Sequence, residues 1–201
     1  TSDGGARPKW KLEREDGSQW LAKFSDQLDP YDTGRMEALS LGMLHAAGVP
    51  SPPCIVKTLP SGEPVLLIRR FDTDGTRRLH KVSMASLIDI QTGGDYRDMA
   101  KVLQSVSTDP DLDLDRLFKS MLIDAALHNI DNHARNFELL LTDTGYRLSP
   151  QYDKLPEPGR SAGHSTSFAG LPHLDVLDDQ AFARMVDAFG LDDYRGKKLR
   201  D

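Results

Sequence analysis

The spacing of apolar residues changes character near residue 74 of this chain. Upstream, short runs of alternating polar and apolar residues lie on both sides of Asp16-Gly17, a pair typical of the tight turn in a β-hairpin. Downstream, apolar residues recur every three or four positions, which is the period of a helix. A mainly β part followed by a mainly α part predicts an α+β fold with two lobes, residues 1–73 and 74–201.

The predicted elements follow this division. Strands are expected at 10–15, 19–24, 54–59 and 64–71, with a helix at 32–48 between the second and third strands. Further helices are expected at 83–90, 96–106, 113–129 and 178–190, with a hairpin at 137–149. The apolar spacing of the first helix predicts a buried face made of Met36, Leu39, Met43, Leu44 and Ala47.

Composition excludes several classes of protein. Lys and Arg number 25 against 31 Asp and Glu, so the net charge of −6 gives no overall attraction to DNA or to acidic membranes. Cys54 is the only cysteine, which excludes an intrachain disulfide and a Cys-based zinc site and favours a reducing, cytoplasmic location. The apolar stretch 120–127 is short and is interrupted by Asp124, so no membrane-spanning segment is expected.

A dense group of polar side chains, "HNIDNHARN", fills positions 128–136 between an apolar helix and a hairpin. Asp131 and Asn136 are five residues apart, as are the catalytic-loop Asp and Asn of protein kinases. There the Asp accepts the proton of the substrate hydroxyl, and the Asn offers an amide oxygen to Mg²⁺. The hairpin would return Asp153 to the same place as a second, carboxylate ligand. Taken alone, Asp131 is equally compatible with a simple turn.

Residues near the start of the chain fit the same chemistry. Gly4 and Gly5 would allow the backbone to approach phosphate oxygens closely. Lys23 lies in a predicted strand and Glu37 in the helix that follows, and kinases use such a pair to direct the lysine at phosphate. The structural alternative is that Lys23 is a solvated strand lysine and Glu37 a surface residue of its helix.

Four segments, "GGARPK", "LLIRRFD", "DNHARN" and "LSPQYD", resemble successive motifs of the HipA family, the serine/threonine kinase toxins of bacterial toxin–antitoxin modules. Each segment alone is common, but their order and spacing over residues 2–155 are specific. The resemblance implies a two-lobed protein-kinase-like fold. Members carry a further small subdomain before the Gly-rich loop and commonly continue past the equivalent of residue 201, so either a shortened member or a fragment of a member is expected.

The resemblance also implies roles in the second lobe. Asp131 would be the catalytic base, and Asn136 and Asp153 would bind Mg²⁺. His133 would belong to the nucleotide-binding loop.

The first lobe would bind ATP. Lys23 would contact the phosphates, with Glu37 as its partner, beneath a loop made of Gly4, Gly5, Ala6, Arg7, Pro8 and Lys9. The hinge that meets adenine would consist of Arg69, Arg70 and Phe71. Ser2 corresponds to a loop serine that such kinases autophosphorylate, and the added charge would expel the loop from the phosphate site.

The resulting hypothesis is an ATP- and Mg²⁺-dependent Ser/Thr protein kinase. The resemblance implies a cellular protein such as an aminoacyl-tRNA synthetase as substrate, a HipB-type antitoxin as partner, and contact with DNA only through that antitoxin. Two alternatives stay open. One is a small-molecule phosphotransferase, which would use the same Asp131, Asn136 and Asp153. The other is a kinase-like module without catalysis, whose acidic surface binds a basic antitoxin or repressor.

Overall fold

The computed structural model of the chain describes residues 8–26, 29, 31–88, 94–157, 164–168, 170 and 179–191. Its first part is a four-stranded antiparallel sheet of order β1-β2-β4-β3. The strands are β1 (Lys9–Glu13), β2 (Gln19–Phe24), β3 (Cys54–Thr58) and β4 (Pro64–Arg69), and helix α1 (Thr33–Ala46) connects β2 with β3. The predicted order β-β-α-β-β is therefore confirmed. The register places Lys9 of β1 and Leu66 of β4 on either side of Lys23.

Helix α1 starts at Asp32, whose side chain accepts a hydrogen bond from the backbone N–H of Arg35. Its predicted buried face is only partly correct: Leu44 is fully buried, but Leu39 is 58% exposed, whereas Leu41, outside the predicted face, is 1% exposed. The helix presents to the sheet a face that carries Gly34, Glu37, Leu41 and Leu44. Apolar spacing missed this rotation because the face includes a glycine and a carboxylate, which sequence patterns assign to solvent.

Gly34 explains how closely α1 lies on the sheet. A Cβ added at this position would stand 3.3 Å from the Cβ of Leu66 in β4, which is tighter than ordinary van der Waals contact. A small cluster of buried residues, Leu41, Leu44, Val49, Leu66 and Ile68, fills the space between helix and sheet. The first turn of α1 is thereby fixed against β4 at Leu66, the residue that pairs with Lys23 of β2.

The rest of the described chain is mainly helical. It contains α2 (Tyr96–Val106), α3 (Pro110–Ala126) and α4 (Asp179–Phe189), together with a short hairpin of β5 (Thr73–Asp74) and β6 (Arg77–Arg78). A three-stranded sheet of order β7-β8-β9 consists of β7 (Lys81–Ser83), β8 (Glu138–Thr142) and β9 (Gly145–Leu148). The larger hydrophobic core lies here, and the apolar stripe of α3 contributes Leu114, Leu117, Phe118 and Met121 to it.

The differences from the predicted elements have local causes. Within the described residues 83–88, the helix expected at 83–90 is a single 3-10 turn at Met84–Ser86, which directly follows the pairing of β7 with β8. Ser83 nevertheless caps this turn, as its hydroxyl accepts from the N–H of Ala85. Helix α3 begins earlier than predicted, because Asp109 caps it and Pro110 occupies its first turn. No helix within the described ranges is long and apolar enough to cross a bilayer.

Candidate functional site

The segment 128–136 leaves α3 through a backbone reversal. His128 has a φ of +52°, in the left-handed region, and this ends the helix and turns the chain into the loop. Asn129 is then buried, whereas the Asp131 side chain is 57% exposed. Asp131 Oδ1 lies 3.2 Å from His133 Nε2 and 3.7 Å from Arg135 Nη2. The loop thus presents one accessible carboxylate between two nitrogen-bearing side chains.

Asn136 closes the loop. It ends a 3-10 turn at Ala134–Asn136, and its Nδ2 donates a hydrogen bond of 3.1 Å to the backbone carbonyl of Asp131. The bond fixes the orientation of the amide, so that Oδ1 is the atom left to accept a cation. The five-residue spacing between Asp131 and Asn136 is therefore the span of one hydrogen-bonded loop.

Asp153 reaches the site through the β8–β9 hairpin. Its backbone is left-handed, with a φ of +59°, and its Oδ1 accepts a hydrogen bond of 2.8 Å from Lys23 Nζ. Burial opposes ionisation of this carboxyl, but the charge and hydrogen bond of Lys23 outweigh that effect and lower the pKa of Asp153. Asp153 is accordingly ionised at neutral pH.

Lys23 joins the two parts of the site. Its ammonium donates to both oxygens of Glu37, at 2.7 and 3.0 Å, as well as to Asp153. Burial disfavours the charged amine, yet the charges of Glu37 and Asp153 prevail and raise the pKa of Lys23. Burial raises the pKa of Glu37, and the charge of Lys23 opposes this rise. Lys23 is thus a largely buried amine that is protonated at neutral pH, unlike the solvated strand lysine of the alternative interpretation.

These side chains border two adjoining cavities. The larger, of about 510 Å³, is lined by residues of both parts of the chain, including Lys23, Glu37, Asp131, Asn136 and Asp153. The smaller, of about 290 Å³, is lined by apolar and aromatic residues that include Phe71 and by charged residues, namely Arg69, Arg70, Asp72 and Lys81. Lys9, Lys23, Asn136 and Asp153 line both cavities. A polar compartment beside a more apolar one suits a ligand with a charged end and a flat ring.

The predicted hinge residues are held by their neighbours. Arg70 forms a two-pronged ion pair with Asp72, at 2.9 and 2.7 Å. The ring of Phe71 packs against that of Tyr152, with 5.5 Å between centroids. Their contact with adenine stays a prediction.

His133 and the Gly-rich loop complete the predicted set. His133 Nε2 lies 3.2 Å from the hydroxyl of Ser165, and burial, followed by the charge of Arg135, lowers the pKa of the imidazole despite Asp131. Of the residues predicted to form the Gly-rich loop, Pro8 and Lys9 line the larger cavity. The remaining predicted residues lie outside the described ranges, namely Ser2, Gly4, Gly5, Ala6 and Arg7.

The donor set can be tested against Mg²⁺. This ion prefers oxygen ligands and is usually held by one or two carboxylates together with substrate phosphates. Asn136 contributes an amide oxygen, and Asp153 contributes the carboxylate oxygen that does not accept from Lys23. The residues therefore fit a magnesium ion that shares its remaining positions with phosphate and water.

Three buried residues near the site were missed by the sequence patterns: Asp124, Asn129 and Lys154. In the sequence pattern, Asp124 appears only as a charged interruption of the apolar stretch 120–127. A charged residue inside such a stretch is almost never buried without a partner, and this rule could have indicated an ion pair. Its partner is Lys154, 30 positions further along the chain, and no sequence pattern identifies that residue as the partner.

The fold resembles two solved bacterial structures. The HipA chain in the Shewanella oneidensis MR-1 complex of HipA, HipB and operator DNA has a TM-score of 0.77 at 13% identity, covering 99% of this chain and 55% of that one. The Helicobacter pylori proinflammatory kinase CtkA has a TM-score of 0.65 at 15% identity, covering 99% and 82% respectively. The chain therefore has a protein-kinase-like α+β fold, and the predicted fold class is confirmed.

The sequence matches the HipA-like C-terminal domain over residues 1–199, and the chain belongs to this family. The predicted resemblance is thereby confirmed. A curated relative from Sinorhizobium fredii, named "Putative kinase Y4mE", is 26% identical over 136 residues, which are 61% of this chain and 32% of the relative. The chain thus spans about a third of this relative and about half of the solved HipA chain.

Proposed function

We propose that the chain is the phosphotransfer unit of an ATP- and Mg²⁺-dependent Ser/Thr protein kinase of the HipA type. One observation carries the proposal: Lys23 is held between Glu37 and Asp153 on a cavity that Asp131 and Asn136 also line. A lysine, its orienting carboxylate, a base and two oxygen donors are the parts that phosphoryl transfer requires. A kinase-like module without catalysis gives no reason to keep all five together.

In the proposed reaction, Asp131 orients a serine or threonine hydroxyl and accepts its proton as the oxygen attacks the γ-phosphorus. The bond from the γ-phosphorus to the bridging oxygen breaks, and ADP leaves with the electron pair. Lys23 offsets charge on the phosphates, and Asn136 and Asp153 hold the metal. When bound, Mg²⁺ neutralises charge on the β- and γ-phosphates. Most of the rate enhancement would come from positioning and electrostatic stabilisation.

Finer assignments rest on the family. We propose an aminoacyl-tRNA synthetase or a similar cellular protein as substrate, and a HipB-type antitoxin as partner, by analogy with the HipA–HipB–DNA complex. Contact with DNA would be indirect, since the chain is acidic. We also propose autophosphorylation at Ser2 and a cytoplasmic location, the latter supported by the single cysteine.

The test compares Asp131→Asn with Asp143→Asn, an exposed aspartate in the turn of the β8–β9 hairpin. Both variants and the parent are incubated with labelled ATP and Mg²⁺ in a cell lysate supplemented with metabolites. We expect Asp131→Asn to lose at least about 10²-fold in transfer rate while still binding ATP, and Asp143→Asn to match the parent. Undiminished transfer by Asp131→Asn would refute the assignment. Label in metabolites instead of proteins would favour a small-molecule phosphotransferase.

A further inference from the structure

The carboxylate of Asp124 lies at the centre of a buried polar cluster beneath the candidate site. Its Oδ1 accepts a hydrogen bond of 2.7 Å from Asn129 Nδ2. Its Oδ2 accepts from Lys154 Nζ at 2.6 Å and from the Tyr96 hydroxyl at 2.7 Å. All four residues are essentially inaccessible to solvent. We call Asp124, Asn129 and Lys154 the Asp124 cluster.

Stability alone is a weak explanation for this cluster. Removing an ion pair from water costs about as much as the pair regains, and apolar residues of similar size often stabilise a core equally well or better. Lys154 is surrounded by core residues, with its Nζ 4.2 Å from the centre of the Phe137 ring. An apolar side chain would suit these surroundings. The presence of an ion pair here therefore indicates a role in positioning the segments that contain its residues.

The cluster joins the two segments that carry the acidic groups of the site. Asn129 precedes Asp131 by two residues, and Lys154 follows Asp153 directly. Because Asn129 and Lys154 hold opposite oxygens of one carboxylate, their separation is set by the width of that carboxylate. The backbone adds to this restraint, since the N–H of Asn129 donates to the carbonyl of Asp124 at 2.9 Å.

A second anchor fixes the far side of the same loop. Asn132 Oδ1 accepts from the backbone N–H of Thr166 at 3.0 Å, and the Thr166 hydroxyl donates to the carbonyl of Asn132 at 2.6 Å. Asp131 is thus an exposed residue between two anchors, because Asn129 before it and Asn132 after it are buried and hydrogen-bonded. Lys154 provides the matching anchor for Asp153.

We propose that Asp124 and Lys154 are positioning residues, which set the distance and orientation between Asp131 and Asp153. Neither residue touches the nucleotide or the hydroxyl. Their catalytic consequence rests on the proposed function, whereas their effect on the two segments does not. Disrupting the cluster would therefore shift Asp131 relative to Asp153 while leaving ATP binding in place. Such a change would lower kcat more than it raises KM.

The first experiment uses the unliganded protein and hydrogen–deuterium exchange. Lys154→Met keeps the length of the side chain and removes its charge, and Lys101→Met removes an exposed lysine of α2 as the matched control. We expect Lys154→Met to speed amide exchange about tenfold or more in both 128–136 and 150–157, relative to strand β4. Faster exchange in 150–157 with an unchanged 128–136 would overturn the proposal. The control should match the parent in both segments.

The second experiment separates positioning from plain stability. The double variant Asp124→Leu/Lys154→Met replaces the ion pair with apolar groups, and it is expected to unfold at a temperature close to that of the parent. We expect amide exchange in its segment 128–136 to stay faster than in the parent. We expect its kcat to be at least about tenfold lower than that of the parent, with KM for ATP changed less than threefold. Recovery of both protection and kcat would show a merely structural role. If Lys154→Met does not fold, the double variant takes its place in the exchange experiment.

The two proposals fail in different ways. A parent protein that transfers no phosphate would refute the proposed function, and the exchange result on the unliganded chain would still decide whether Asp124 holds both segments. A parent that transfers phosphate, combined with a Lys154→Met variant of normal kcat and normal exchange, would refute the positioning role alone.

Discussion

Lys23 Nζ lies 2.8 Å from Asp153 Oδ1, although the two residues are 130 positions apart in the chain. The first belongs to strand β2, and the second follows the hairpin of the helical part. This contact joins two parts of the chain, each with its own hydrophobic cluster, in one site. It also couples the ionisation of a lysine, a buried glutamate and a candidate metal ligand.

Replacing Lys23 with Met should destabilise the fold as well as abolish transfer. The substitution leaves the buried Glu37 without its cation, which typically costs about 3 kcal/mol or more in the free energy of unfolding. Lys57→Met, on an exposed position of β3, is the control and should stay within about 0.5 kcal/mol. Urea denaturation measures the stability, and the rate of phosphate transfer from labelled ATP measures the activity. Equal stability of Lys23→Met and the control would contradict the buried ion pair.

Asp153→Asn should separate chemistry from folding. Asn tolerates the left-handed backbone at this position, so the fold should survive, while loss of the charge should lower kcat by about 10²-fold. Asp153→Ala should lose kcat similarly and be about 1 kcal/mol less stable than Asp153→Asn, because alanine lacks the short polar side chain that stabilises a left-handed backbone through local hydrogen bonds. Thermal unfolding and steady-state kinetics measure both. Full activity of Asp153→Asn at ordinary Mg²⁺ concentrations would remove Asp153 from the metal site.

His133 predicts a pH effect on stability. Burial and Arg135 lower its pKa in the folded protein below the ordinary value near 6.5, so the unfolded chain binds the extra proton first. The contribution of His133 to the free energy of unfolding should be fully present above that value. It should decline as the pH falls from that value through the pKa of the folded protein. His133→Gln should lose this part of the decline. Denaturation of both proteins between about pH 7 and pH 5 tests it, and parallel curves would contradict the lowered pKa.

The face of α1 can be tested directly. Leu41→Ala removes a fully buried side chain and should cost about 3 kcal/mol in the free energy of unfolding. Leu39→Ala, two positions earlier, removes an exposed side chain and should stay within about 0.5 kcal/mol. The opposite ranking in a urea titration would restore the face predicted from apolar spacing.

Features governed by local chemistry were predictable from sequence. Asp16-Gly17 forms the turn between β1 and β2, with Gly17 at a φ of +76°, because only glycine adopts such a backbone without strain. Asp131, Asn136 and Asp153 were found through their spacing, and the structure places them around one cavity. Their roles as base and metal ligands stay predictions, as does the division of the chain at residue 73.

Most features governed by distant partners were not predictable from the spacing of residues. The rotation of α1 depends on Gly34 meeting Leu66, and this contact does not follow from the period of apolar residues. The contact of Glu37 with Lys23 was predicted, but from the pairing that kinases use and not from apolar spacing. The pairing of Asp124 with Lys154 is likewise a property of the assembled core. Strand β7 was missed because three residues show too short an alternation to indicate a strand.

His128 and Asp153 are the non-glycine residues with a left-handed backbone within the described ranges, and both border the site. Asparagine and glycine tolerate that backbone best. Descendants of this gene that lose Asp153 are therefore expected to carry asparagine or glycine there more often than alanine or valine. Under the proposed function, such variants would keep an intact scaffold while losing phosphate transfer.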